Sequence, residues 1–146
     1  MTALFTLTVA LSLVASGAPP ACPKGAPSVR DEYRASDAVV IGTVVSAVAE
    51  PASKEYLDGT TYVVRIYEHI KGKLPAQIRL FSENSSGRRP MRVRTSYLLF
   101  VDDHLGRKAI DNCGNSGMLS KRRKALAIVR RLQRTAPTVR SSRADA

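Results

Sequence analysis

The apolar positions of this 146-residue chain fall into short runs divided by polar segments that carry glycine or proline. Residues 38–48, AVVIGTVVSAV, are uncharged and rich in β-branched side chains, which predicts a strand. Gly42 at its middle predicts a bulge or a tight bend, as where a strand turns a barrel corner. Residues 61–70, TYVVRIYEHI, alternate. Tyr62, Val64 and Ile66 fall on one face and Val63, Arg65 and Tyr67 on the other. Lys71-Gly72-Lys73 ends this second strand. Residues 77–82, QIRLFS, predict a third, with Ile78 and Leu80 opposing Arg79 and Phe81. Residues 96–102, SYLLFVD, predict a fourth, and 108–111 a short fifth. Between them lie a polar loop over 50–60 with an Asp58-Gly59 turn, a loop over 83–90, and a turn over 112–117, NCGNSG, that carries Cys113.

The period changes at the two ends. Ser28 suits the N-cap of a short helix over 29–34, with Asp31 and Glu32 placed in its first turn. Pro19, Pro20, Pro23 and Pro27 make the chain before it extended. A second helix is predicted from Ser120 to about Arg134. Ala125, Leu126, Val129 and Leu132 form its apolar stripe, with Ile128 at the margin. Pro137 stops it, and the segment from 135 to 146 reads as a disordered tail. Five short strands with a helix at each end predict a mainly β fold, a five-stranded Greek-key barrel of the OB type. A β-sandwich is the alternative.

Residues 6–18, TLTVALSLVASGA, have the length and small-residue ending of a signal peptide, although no Lys or Arg precedes them. The expected cleavage follows Gly17, leaving one domain over 18–134. The run is too short to cross about 30 Å of hydrocarbon as an anchor. Export places the chain in an oxidising compartment. The two cysteines, Cys22 and Cys113, then predict one disulfide, against the alternative of two buried thiols.

The formal charge of +11 is uneven along the chain. Nine of the 23 Lys and Arg residues fall in 121–146, which hold a single acid, Asp145. Lys121, Arg122, Arg123, Lys124, Arg130, Arg131 and Arg134 are therefore candidates for binding a polyanion: anionic lipid, polysaccharide or nucleic acid. Nucleic acid is the least supported, because export removes the usual target and the segment has no aromatic side chain for stacking. The alternative is a solvated helix face. The sequence leaves open whether this helix packs on the barrel or lies on a membrane.

Other chemistry finds few carriers. The only histidines are His69 and His104, and the Asp102-Asp103-His104 run reads as an exposed hairpin turn. No Cys-x-x-Cys, nucleophile elbow or phosphate-cradling glycine loop is present, and no cofactor, metal or catalytic residue is predicted.

Several segments recur in an order with a meaning of its own. They are a cysteine among prolines, Tyr33, SDAVVIGTVVS at 36–46, YVVRIYEHIKG at 62–72, SYLLFVDD at 96–103 and IDNCGNS at 110–116. Together they resemble the netrin-module superfamily, and within it the bacterial proteins similar to tissue inhibitors of metalloproteinases. The resemblance covers about residues 22–132, and Lys71-Gly72 and Tyr97-Leu98-Leu99 are its most specific parts. It implies an OB-fold barrel with flanking helices and a metalloprotease as a possible partner. In the animal inhibitors a Cys-x-Cys begins the mature chain, and its first cysteine chelates the protease zinc. Here Cys22 stands alone. If it matches the second cysteine of that pair, the chelating position falls on Pro20. If it matches the first, cleavage would follow Ala21. Thr95-Ser96 stand where the family has glycine before Tyr-Leu-Leu. The reading that asks least of missing residues is an exported, non-enzymatic binding or structural module of the bacterial cell envelope, periplasmic or secreted, contacting an unidentified protein or glycan. Protease inhibition and polyanion binding are the alternatives.

Overall fold

The computed structural model describes Cys22 and residues 25–54, 58–84, 88, 90–104 and 106–135. The predicted leader and the predicted tail beyond Thr135 lie outside them. In chain order the elements are α1 (Val29–Ala35), β1 (Ala38–Glu50), β2 (Gly59–Lys71), β3 (Gln77–Glu83), β4 (Ser96–His104), β5 (Arg107–Ala109), β6 (Gly117–Met118), a 3-10 turn (Leu119–Lys121) and α2 (Arg123–Thr135).

The fold is mainly β, with two helices and a sheet that closes on itself. β1 pairs antiparallel with both β2 and β4, β2 with β3, and β4 with β5. A single parallel bridge, Phe81 to Ala109, joins β3 to β5 and completes the ring. Closure leaves few strand edges free, which limits pairing with other chains. The ring is uneven at this seam. Arg107 reinforces it, its guanidinium lying 3.6 Å from the Phe81 ring centre while it pairs with Glu50.

Two apolar layers follow from the alternation of side chains along each strand. Inside the ring sit Val40, Val44, Tyr62, Val64, Leu80, Tyr97, Leu99 and Val101. Between the ring and the helices sit Val39, Ile41, Ile70, Leu98, Phe100, Ala125 and Val129. β1 and β4 thus bury both faces, which is why their sequences are unbroken apolar runs rather than alternating ones. β2 alternates as expected: Tyr62, Val64 and Ile66 are buried, and Tyr67 is exposed. Gly42 lies at a register shift between β1 and β2, and a Cβ there would stand 2.8 Å from the Arg65 carbonyl oxygen.

Four expectations are corrected. The 112–117 turn ends in a sixth, two-residue strand, β6, paired with Tyr97 and Leu98. The fifth strand ends at Ala109, two residues short, because only three residues find partners on β4. Gly59 opens β2 rather than forming a turn, since it pairs with Glu50 on one side and Glu83 on the other, and a Cβ there would stand 2.4 Å from the Phe81 ring. α2 starts at Arg123, and Ser120 belongs to the preceding 3-10 turn. Ser28 caps α1 as predicted, its hydroxyl accepting from the Asp31 amide at 3.1 Å.

Candidate anion-binding surface

The disulfide joins Cys22 to Cys113, with Cα atoms 5.7 Å apart. It ties the chain before α1 to the 112–117 loop, which is itself pinned on three sides. Asn112 accepts from the Ser82 hydroxyl at 3.0 Å and donates to the Glu83 carbonyl at 2.9 Å. Asn115 donates its backbone N–H to Glu32 Oε2 at 2.6 Å and its side-chain amide to Glu32 Oε2 and the Pro27 carbonyl. The Ser116 hydroxyl accepts from the Phe100 amide at 2.9 Å. Glu32 lies in the first turn of α1 as expected, and its side chain turns inward and is buried. Burial pushes its pKa up, partly opposed by the two Asn115 hydrogen bonds and assisted by Asp111 and Asp102.

Lys71 and Gly72 hold the other end of α1. The Lys71 ammonium donates to the carbonyls of Tyr33, Arg34 and Ser36 and lies 5.6 Å from the Tyr33 ring centre. A cation at a helix C-terminus satisfies carbonyls that have no partner within the helix. Gly72 is left-handed, at φ +66°, and a Cβ would stand 2.5 Å from the Asp37 carbonyl oxygen. The Lys-Gly pair therefore has a local structural role in this chain.

α2 settles one alternative that its sequence left open. Val129 is fully buried and Ala125 nearly so, Leu126 packs against the same layer, and Gln133 reaches the His69 carbonyl. The apolar stripe is spent on the barrel, with Ile128 at 40% exposure at its margin.

The seven basic candidates then divide into three sets. Arg130 is paired with Glu68 through contacts of 2.9 and 3.0 Å. Arg123, Lys124, Arg131 and Arg134 are exposed and form no ion pair with a described residue. Helical spacing places these four together on the side opposite Val129. Lys121 and Arg122 face elsewhere, into a cavity at the mouth of the ring. Arg122 lies across Gly117, where a Cβ would stand 2.6 Å from its Nε, and donates to the Ser116 carbonyl.

That cavity, of about 340 Å³, opens beside β6. Met91, Tyr97, Ile110 and Met118 form its apolar floor, and Arg92, Lys121 and Arg122 are its cations. One wall is held in place by the Tyr97 hydroxyl, which accepts from the Arg92 amide at 2.7 Å, and by the Tyr62 hydroxyl, which accepts from Met91. Residue spacing along the chain could not show this site, since its lining comes from five separated segments.

Asp102, Asp103 and His104 lie at the end of β4 in the hairpin with β5. Asp103 pairs with Lys108, which holds its carboxyl below the usual range, and its amide donates to Asp37. Among the described residues no group of three or more His, Cys, Asp or Glu side chains is placed to hold a metal, and no helix is long and apolar enough to cross a membrane. Searches against protein-family models and curated proteins find no match to this chain.

Proposed function

We propose that this protein is an exported, non-catalytic binding module with an OB-type barrel, and that it holds a polyanionic partner of the cell envelope against the outer face of α2. The observation that carries this reading is the division of labour within α2. Its apolar side is committed to the barrel, while Arg123, Lys124, Arg131 and Arg134 stand exposed and form no ion pair with a described residue. Arg123 and Lys124 also place two cations at the positive end of the helix, and no acid occupies its first turn. That arrangement opposes the helix dipole. Local electrostatics that conflict with folding are expected at sites selected for a ligand, and an anion relieves the conflict. A helix whose apolar side is already buried adsorbs by charge rather than by inserting into lipid. The closed five-strand ring with its weak seam supports the OB-type reading, and the disulfide supports export.

The test is retention of the secreted protein on immobilised heparin at low salt. Retention that salt abolishes, and that Arg131→Glu with Arg134→Glu moves to lower salt, supports the reading. Passage without retention would sink it.

A second reading, inhibition of a metalloprotease, rests on the netrin-module resemblance and on the bridge that anchors Cys22 to the barrel. The family's Cys-x-Cys pair is absent, since Cys22 stands alone. Mature protein with a defined N-terminus that leaves a panel of metalloproteases fully active would remove it.

A further inference from the structure

We propose that the cavity at the mouth of the ring is a binding site for a small amphipathic anion, an acyl or aryl carboxylate. The site is separate from the outer face of α2 and does not depend on the polyanion reading. Its floor and its rim differ in chemistry. Met91, Tyr97, Ile110 and Met118 belong to the inner apolar layer or pack against it, so the cavity is an extension of the barrel core that opens to solvent. Arg92, Lys121 and Arg122 line the same space. None of the three forms an ion pair with a described residue. The only acid in the lining is Asp111, whose Oδ1 already accepts from the Cys113 amide at 2.8 Å. Three cations against one engaged carboxylate select an anion. An apolar floor with a few polar groups at its edge is the usual construction of a ligand pocket.

The walls are held before any ligand arrives. Tyr97 and Tyr62 fix the 91–92 backbone, β6 is paired to β4, and the disulfide loop carries Ser116, to whose carbonyl Arg122 donates. A prebuilt pocket avoids the ordering cost that a mobile one incurs on binding. A space of about 340 Å³ is at the small end of the range for small-molecule pockets. That matches a medium-chain carboxylate, with its chain on the floor and its carboxylate at the Lys121 rim.

The experiment titrates the isotope-labelled, disulfide-intact secreted protein with sodium octanoate and, separately, octylammonium chloride, following backbone amide shifts. The proposal expects saturable octanoate shifts at Tyr97, Gly117 and Met118, and none that saturate with octylammonium. Lys121→Glu, at an exposed position without a described ion pair, is expected to weaken octanoate at least about five-fold. Met118→Trp fills the floor and is expected to abolish binding. Arg131→Glu with Arg134→Glu should leave octanoate affinity unchanged. Equal saturation by octylammonium, shifts confined to the outer face of α2, or unchanged affinity in Lys121→Glu would each overturn the proposal, whether or not Met118→Trp folds.

Discussion

Gly114 lies against the buried carboxylate of Glu32: a Cβ on Gly114 would stand 2.1 Å from Glu32 Oε1 and 3.1 Å from the Asp111 carbonyl oxygen. The carboxylate cannot simply swing away, because its other oxygen holds the backbone and side-chain amides of Asn115. Gly114→Ala should therefore destabilise the fold by about 1–3 kcal/mol, the range for forcing an extra carbon into a packed site. Denaturant unfolding of the oxidised protein checks this. A midpoint indistinguishable from the parent would show that the loop relaxes freely.

Glu32 also gives stability a dependence on pH. Burial raises its folded pKa above the ordinary carboxylate value of 4.5. The stability this contributes is complete below that value and is lost as pH rises through the raised folded one. Glu50 and Asp103 act in the opposite sense. Glu50 is held low by the Thr61 hydroxyl and by Arg107, and Asp103 by Lys108, so their contributions fade as pH falls. Glu32→Gln keeps the shape and removes the charge. Relative to the parent, the variant should gain stability as pH rises above 4.5 and level off once pH passes the raised folded value, measured by unfolding at each pH. A constant difference between the two proteins across that rise would show that Glu32 does not titrate as described.

Much of this organisation was legible in local pattern. The strand cores, the alternating faces of β2, the Ser28 cap, the bulge at Gly42 and the apolar stripe of α2 depend on residues near one another in sequence, where side-chain period reports burial directly. What escaped depends on contacts across the chain. Glu32 looks like an ordinary first-turn acid, and only the 112–117 loop folding over it, 83 positions away, buries it. The basic residues from 121 to 134 look like one patch. The pairing of Arg130 with Glu68 and the turn at 119–121 divide them among three roles. β6 is two residues long and has no periodicity to detect.

Lys71 is the C-terminal clamp of α1, and its ammonium serves three carbonyls at once. Lys71→Met keeps most of the side-chain length and deletes the donors. A loss of about 1–2 kcal/mol is expected, since hydrogen bonds to a charged group and the dipole contact vanish together. Amide exchange should quicken first in α1. A loss of stability without faster exchange in α1 would assign the role of Lys71 elsewhere.

The Cys22–Cys113 bridge spans 91 positions. Chain-entropy reasoning for a loop of this length gives about 4–5 kcal/mol of stabilisation in the oxidised state. Unfolding with and without reductant measures it directly. The reduced protein should unfold at much lower denaturant, and amides of the 112–117 loop should lose protection. Equal midpoints would mean that the Asn112, Asn115 and Ser116 hydrogen bonds hold the loop without the bridge.

The central claim is that the outer face of α2 meets a polyanion. Its most direct test is the affinity of the secreted protein for heparin across a range of salt concentrations, beside variants that neutralise Arg123, Lys124, Arg131 and Arg134 one at a time. The account predicts log affinity falling linearly with log salt, with the slope shrinking by about 0.7–0.9 for each contacting cation removed. Neutralising Arg130 should change the slope little, because Glu68 already holds that charge. A slope near zero, or one that none of the four substitutions alters, would contradict it.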